Sequence, residues 1–187
     1  MATAGPRRSP PAGSGRPKRS LWLNMGLPAL LGVAMVLLAA LLAVRAGFIG
    51  GQPPADLGVM NGRLKAPPST PNSVHSQLDL FPDHPQAGSA RIAPLPASGD
   101  AAATMDALQA AIEATDGARI VERRPDYLRV EFRTKWVGFV DDAEFWFDPV
   151  KRVVQLRSAS RLGENDLGAN RERIELLRAR LTPGTPS

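Results

Sequence analysis

Between Ala118 and Ala159 the sequence alternates apolar and polar residues in short runs joined by turn residues. This pattern limits the fold more than any other feature, because strict alternation marks a strand with one buried face. In Tyr127–Thr134, Leu128, Val130 and Phe132 fall on one side and Arg129, Glu131 and Arg133 on the other. Asp142–Phe147 sets Ala143, Phe145 and Phe147 against Asp142, Glu144 and Trp146, and Val153–Ala159 sets Val154, Leu156 and Ser158 against Val153, Gln155 and Arg157. A shorter run, Ala118–Arg123, comes first. Pro125-Asp126 and Asp148-Pro149 supply turns. Turns this short join antiparallel neighbours.

Two helices flank the strands. Asp100 can cap a helix over 100–115 with Ala101, Met105, Leu108 and Ile112 on one stripe, stopped by Asp116-Gly117. The second runs over Leu167–Leu181, with Asp166 as its cap and Leu167, Ile174, Leu177 and Leu181 on its apolar stripe. The expected fold class is α+β: a small antiparallel sheet of about four strands packed by two helices, preceded by one N-terminal transmembrane helix.

That last element rests on Leu21–Val44, 24 residues without a charge. About 20 apolar residues cross a bilayer's hydrocarbon core, and a soluble helix is rarely apolar on every face. Five basic residues precede the run, with no acid among residues 1–20. That bias keeps an N-terminus cytoplasmic and suits contact with anionic lipid headgroups. The reading is a single-pass protein of a bacterial inner membrane, with its C-terminal domain periplasmic. A cleaved signal peptide ending near Val44-Arg45-Ala46 is the competing reading.

The expected layout has a disordered basic cytoplasmic tail at 1–20, a transmembrane helix at 21–44 and a proline-rich linker at 45–69. A folded domain at 70–181 and a disordered tail at 182–187 complete it. Within the proline-rich region, 72–77 and 91–95 look like short extended pieces.

Composition removes several function classes. There is no cysteine, so no disulfide, thiolate zinc site or cysteine nucleophile. The net charge of +5 does not signal nucleic-acid binding. Five of the 23 basic residues lie in 1–20 and Arg45 adds a sixth, leaving the remainder nearly balanced against 18 acids. No phosphate-binding glycine loop, zinc signature or Ser/His/Asp arrangement is visible, so no cofactor and no metal site are assigned. His75 and His84 stand without supporting ligands.

Three groups are candidate sites. Arg157, Ser158, Ser160, Arg161, Asp166, Asn170 and Arg171 cluster around the turn into the last helix. A helix N-terminus with arginines suits a phosphate or carboxylate, with Arg157 and Arg161 expected to face outward. The structural alternative has Asp166 capping the helix and Asn170 pinning the turn. A secondary candidate is Asp141, Asp142 and Glu144, which could hold a cation or divide acid and base roles. Successive strand residues point to opposite faces, though, so Asp141 and Asp142 should diverge. The third is an aromatic concentration, Tyr127, Phe132, Trp136, Phe139, Phe145, Trp146 and Phe147, which reads as either core or apolar groove.

Asp141-Asp142-x-Glu144-Phe145, Phe147-Asp148, Arg157-Ser158-Ala159-Ser160-Arg161, Gly163 and Asp166-x-Gly168-x-Asn170-Arg171-x-Arg173 resemble the family called domain of unknown function 1499. Pro71-Asn72-Ser73-Val74-x-Ser76-Gln77 is similar to that family's entry segment, with Ser73 where members often carry cysteine. The resemblance covers roughly 70–181 and implies an exported or membrane-anchored domain of no established activity. The expected function is therefore a membrane-anchored envelope protein, a non-catalytic module binding a small ligand or protein partner. The alternative is a hydrolase or metal-assisted enzyme using carboxylates in 141–166.

Overall fold

The computed structural model describes Met1, Gly5 and residues 21–45, 50–135 and 138–182, with the side chains of 21–27, 44 and 45 outside the description. The chain divides into two compact units, Met1–Ala40 and Leu41–Ser187. Helix α1 spans Leu21–Arg45. Among the described residues no helix is long and apolar enough to cross a membrane. The expected span at 21–44 falls partly outside the described side chains, and 28–43 alone is shorter than the about 20 residues a crossing needs. The expected basic tail is likewise outside, apart from Met1 and Gly5, as are Trp136 and residues 183–187.

The folded unit is α+β, and its sheet has six antiparallel strands where the sequence pattern marks about four. They are β1 (Ser73–His75), β2 (Leu95–Pro96), β3 (Ala118–Arg124), β4 (Tyr127–Arg133), β5 (Val140–Asp148) and β6 (Val153–Ser160). Strands β3 to β6 form the expected meander, in the spatial order β6-β5-β4-β3. Both additional strands lie along the outer edge of β6: β1 pairs with residues 157–159 and β2 with 153–154. Neither is long enough to show alternation, which is why periodicity passes over them. Ser76 continues the ladder beyond β1, its N–H donating to Leu156 O and its Oγ accepting from Leu156 N at 2.8 Å.

Helices α2 (Ala101–Glu113) and α3 (Ala169–Leu181) cover one face. Their Met105, Leu108, Ile112, Ile174 and Leu177 pack with Leu128, Val130, Phe132, Phe145, Val154 and Leu156 in a single core. Burial of this kind contributes about 1.5–3 kcal/mol per large side chain. Asp100 caps α2, its side chain accepting from Ala103 N at 2.8 Å. Gly117 must be glycine: its φ is +75°, and a Cβ would lie 2.3 Å from Arg133 O.

Helix α3 starts two residues later than expected. Leu167 and Gly168 adopt φ of 53° and 86°, outside helical geometry. Leu167, expected on the apolar stripe, is therefore 94% exposed.

Candidate functional site

The strand register fixes what faces away from the helices. Glu144 lies across from Arg157 on β6 and Arg129 on β4, Trp146 across from Gln155 and Tyr127, and Asp142 across from Ala159 and Glu131. His75 of β1 lies beside Arg157. A second sheet face in a small domain is usually wet. Here Glu144 is 0% exposed, Arg157 3%, and Tyr127 and His75 are equally buried.

The cover is the chain from Gly58 to Ser69, in the stretch read as a spacer. Prolines at 67 and 68 lack N–H groups, so part of this segment cannot enter a sheet ladder. Side chains of the domain satisfy its backbone instead. Glu144 Oε1 accepts from Gly58 N at 2.6 Å. Gln77 accepts from Leu64 N at 2.9 Å and donates to Gly62 O at 2.8 Å. His75 Nε2 reaches Lys65 O, His84 Nε2 reaches Pro67 O, and Gln86 Nε2 donates to Ser69 O. The His75 ring also accepts from Gln77 N at Nδ1, at 2.9 Å. One nitrogen accepts and the other donates, which defines the neutral Nε2–H tautomer. Burial, foremost, pushes the His75 pKa down to about 4, against the Lys65 hydrogen bond.

Beneath this segment, Glu144 Oε1 also accepts from Tyr127 Oη at 2.9 Å. Glu144 Oε2 lies 3.8 Å from Arg157 Nη1, beyond hydrogen-bonding distance. Among the described residues, Glu144 Oε2, Arg157 Nε and Arg157 Nη1 have no hydrogen-bond partner. Burial raises the pKa of Glu144 against the opposing Arg157 charge, and burial likewise lowers that of Arg157 against Glu144. A buried charged group without hydrogen bonds is costly. Arg157 lines a cavity of about 430 Å³, walled by Gln52, Pro54, Lys65, Ala66, Pro67 and Pro68 on the covering side. Asp142, Ala159, Ser160 and Arg161 complete it on the sheet side.

The structure divides the residues of the candidate cluster. Arg157 and Arg161, expected to face outward, point instead to the covered face, Arg157 buried and Arg161 half-buried, because residue parity on β6 puts Arg157 opposite Glu144. Arg161 clamps Asp142 through Nε and Nη2, each at 2.7 Å, and reaches Glu131 at 2.6 Å. Those bonds, with Asp142 foremost, raise its pKa and keep it charged. Ser158, on the helix side, donates to Asn170 Oδ1. Asn170 Nδ2 contacts Asn72 O, Ser160 Oγ and Asp166 Oδ2, joining β1, β6 and the turn. Asp166 accepts from Gly168 N at 3.1 Å and Asn170 N at 3.0 Å. Burial would raise its pKa, but the Asn170 bonds outweigh it and hold it below the usual range. Arg171 donates to Ser89 O and Arg91 O. With Ser73, Asp166 and Gly168 it borders a separate cavity of about 230 Å³.

The carboxylates do not converge. Asp141 pairs with Arg173 of α3 at 2.8 Å on the helix face, Asp142 with Arg161 on the other, and Asp166 sits at the helix start. Among the described residues no His, Asp or Glu cluster could hold a metal ion. The aromatics divide too: Phe132, Phe145 and Phe147 are core, Tyr127 is buried on the opposite face, and Phe139 is exposed.

Sequence reasoning missed Gln52, Pro54, Lys65, Pro67, Pro68 and Ala159 as cavity walls. One signal was present. His-x-Gln occurs at His75-Ser76-Gln77 and again at His84-Pro85-Gln86. At both places the ring Nδ1 accepts from the backbone N–H two residues on, while Nε2 reaches a carbonyl of the covering segment.

No curated protein matches the chain. Residues 63–181 match the family described as protein of unknown function (DUF1499), and the chain belongs to that family.

Proposed function

We propose that the domain is a non-catalytic binding module whose small ligand enters the cavity between the covered sheet face and residues 52–68. One observation carries this reading. Among the described residues, the buried Arg157 makes no hydrogen bond from Nε or Nη1, and it lines a cavity of about 430 Å³, a volume within the about 300–1,000 Å³ of small-molecule sites. A fragment screen of the full-length chain with acidic, basic and neutral compounds, read by hydrogen exchange, tests it. Slowed exchange over 52–68 and 155–161 is the expected result. Hits that leave both segments unchanged, or no hits from any class, would overturn it.

We further propose that residues 21–44 anchor the chain in a bacterial inner membrane, with residues 1–20 cytoplasmic beside anionic headgroups and the domain periplasmic. The support is the uncharged run and its basic flank. Reporter fusions after residues 20 and 60 test it; identical compartments for both would refute it.

A further inference from the structure

We propose that the ligand of this cavity is a compact monocarboxylic acid, its carboxylate accepting hydrogen bonds from Arg157 while its apolar body lies against Pro54, Pro67 and Pro68. The inference rests on the binding reading above and names the ligand's chemistry.

Arg157 sets the sign. A guanidinium has five N–H donors and no acceptor, so a bound group satisfies it only by accepting. The facing Glu144 does not do so, since its nearer oxygen is 3.8 Å from Nη1 and its other oxygen already accepts from Gly58 N and Tyr127 Oη. The remaining charges around the cavity are committed. Arg161 neutralises Asp142 through two bonds, and Lys65 pairs with Asp56. Among the described residues lining the cavity, Arg157 is thus the cation left without hydrogen-bonded compensation.

The walls set the class of anion. Phosphate sites are built from converging backbone N–H groups or a helix N-terminus. Three of the wall residues, Pro54, Pro67 and Pro68, have no N–H, and α3 begins at a different cavity. Arg157 brings one uncompensated positive charge to this cavity, which one carboxylate on a small apolar frame balances. Bidentate recognition of a planar carboxylate is also what a guanidinium does best.

The test titrates the full-length chain with cyclohexanecarboxylate, its neutral isostere cyclohexylmethanol, and inorganic phosphate. Readouts are calorimetry and the Arg157 Nε–H resonance. Cyclohexanecarboxylate should bind and move that resonance, with at least tenfold weaker binding of the alcohol and of phosphate. Arg157→Lys should weaken the carboxylate at least tenfold. Ala66→Trp, at an exposed position on the rim, should block it while Arg157 stays in place. Phosphate or the alcohol binding more tightly, or carboxylate binding that leaves the resonance and both variants unaffected, would overturn the ligand assignment while leaving a cavity-binding module intact. Failure of all three probes, together with no fragment protecting 52–68, would overturn both.

Discussion

The two faces of the sheet are built on opposite rules. Against the helices, Phe145, Leu156 and Val130 meet Met105, Leu108 and Ile174. Such contacts are non-directional and tolerate volume-conserving exchange. On the other face, Tyr127, Glu144, Arg157 and His75 lie under a segment that Glu144 and His75 hold by single hydrogen bonds between side chain and backbone. There each atom needs its own partner, and one missing partner is felt in full. The contrast separates what holds the domain together from what shapes a cavity. The helix face can change composition and keep its fold, whereas the covered face depends on the particular bonds that Glu144 and His75 make to the segment.

The largest test of that division is Phe145→Ala. It should cost about 3–5 kcal/mol, measured by urea unfolding, because it opens a void in the core. A loss below about 1 kcal/mol would show that the helix face is not the dominant layer. Next comes pH. The folded pKa of His75, about 4, lies below the unfolded value of 6.5, so the unfolded chain binds more protons between them. The stabilisation is complete above pH 6.5 and is lost as pH falls toward 4, by about 3 kcal/mol in all. Glu144, with its raised pKa, acts in the opposite sense. Comparing urea midpoints of wild type and His75→Gln at pH 7 and 4.5 isolates the histidine. Equal pH dependence in the two proteins would break the claim that this face needs a neutral ring. Asp166→Ala should cost about 1–2 kcal/mol, again by urea unfolding, through loss of its bonds to Gly168 N and Asn170 N. The smallest effect belongs to Arg119→Ala, which removes an exposed bridge to Glu131. Its cost, read in the same assay, should stay within about 1 kcal/mol. A larger loss would mean that Arg119 supports the Glu131–Arg161 contact.

The meander and both helices were legible because Leu128, Val130 and Phe132 repeat with period two and Met105, Leu108 and Ile112 with a helical period. The short strands β1 and β2 were legible only as extended pieces at 72–77 and 91–95, since two or three residues carry no period that would show their pairing with β6. Glu144 opposite an arginine of a neighbouring strand was readable from alternation. That this pair is buried was not, because its cover comes from a proline-rich segment whose packing depends on distant side chains. Pro67 and Pro68 look like a spacer until His75 and His84 are seen to hold the carbonyls of Lys65 and Pro67. Leu167 misled for a different reason. Its apolar side chain fits the helical stripe, but its positive φ places it before the helix.

The bond from Gly58 to Glu144 closes a separation of 86 residues, and that has a consequence in time. Strands β3 to β6 are joined by short hairpins whose closure is fast. Loop-closure entropy makes the distant contact slower to form. The segment synthesised first is therefore the one that docks late, after β5 and β6 have formed the surface that receives it. Until then the Glu144–Arg157 layer is open to water. Any molecule present at that moment meets the cavity before its roof is in place.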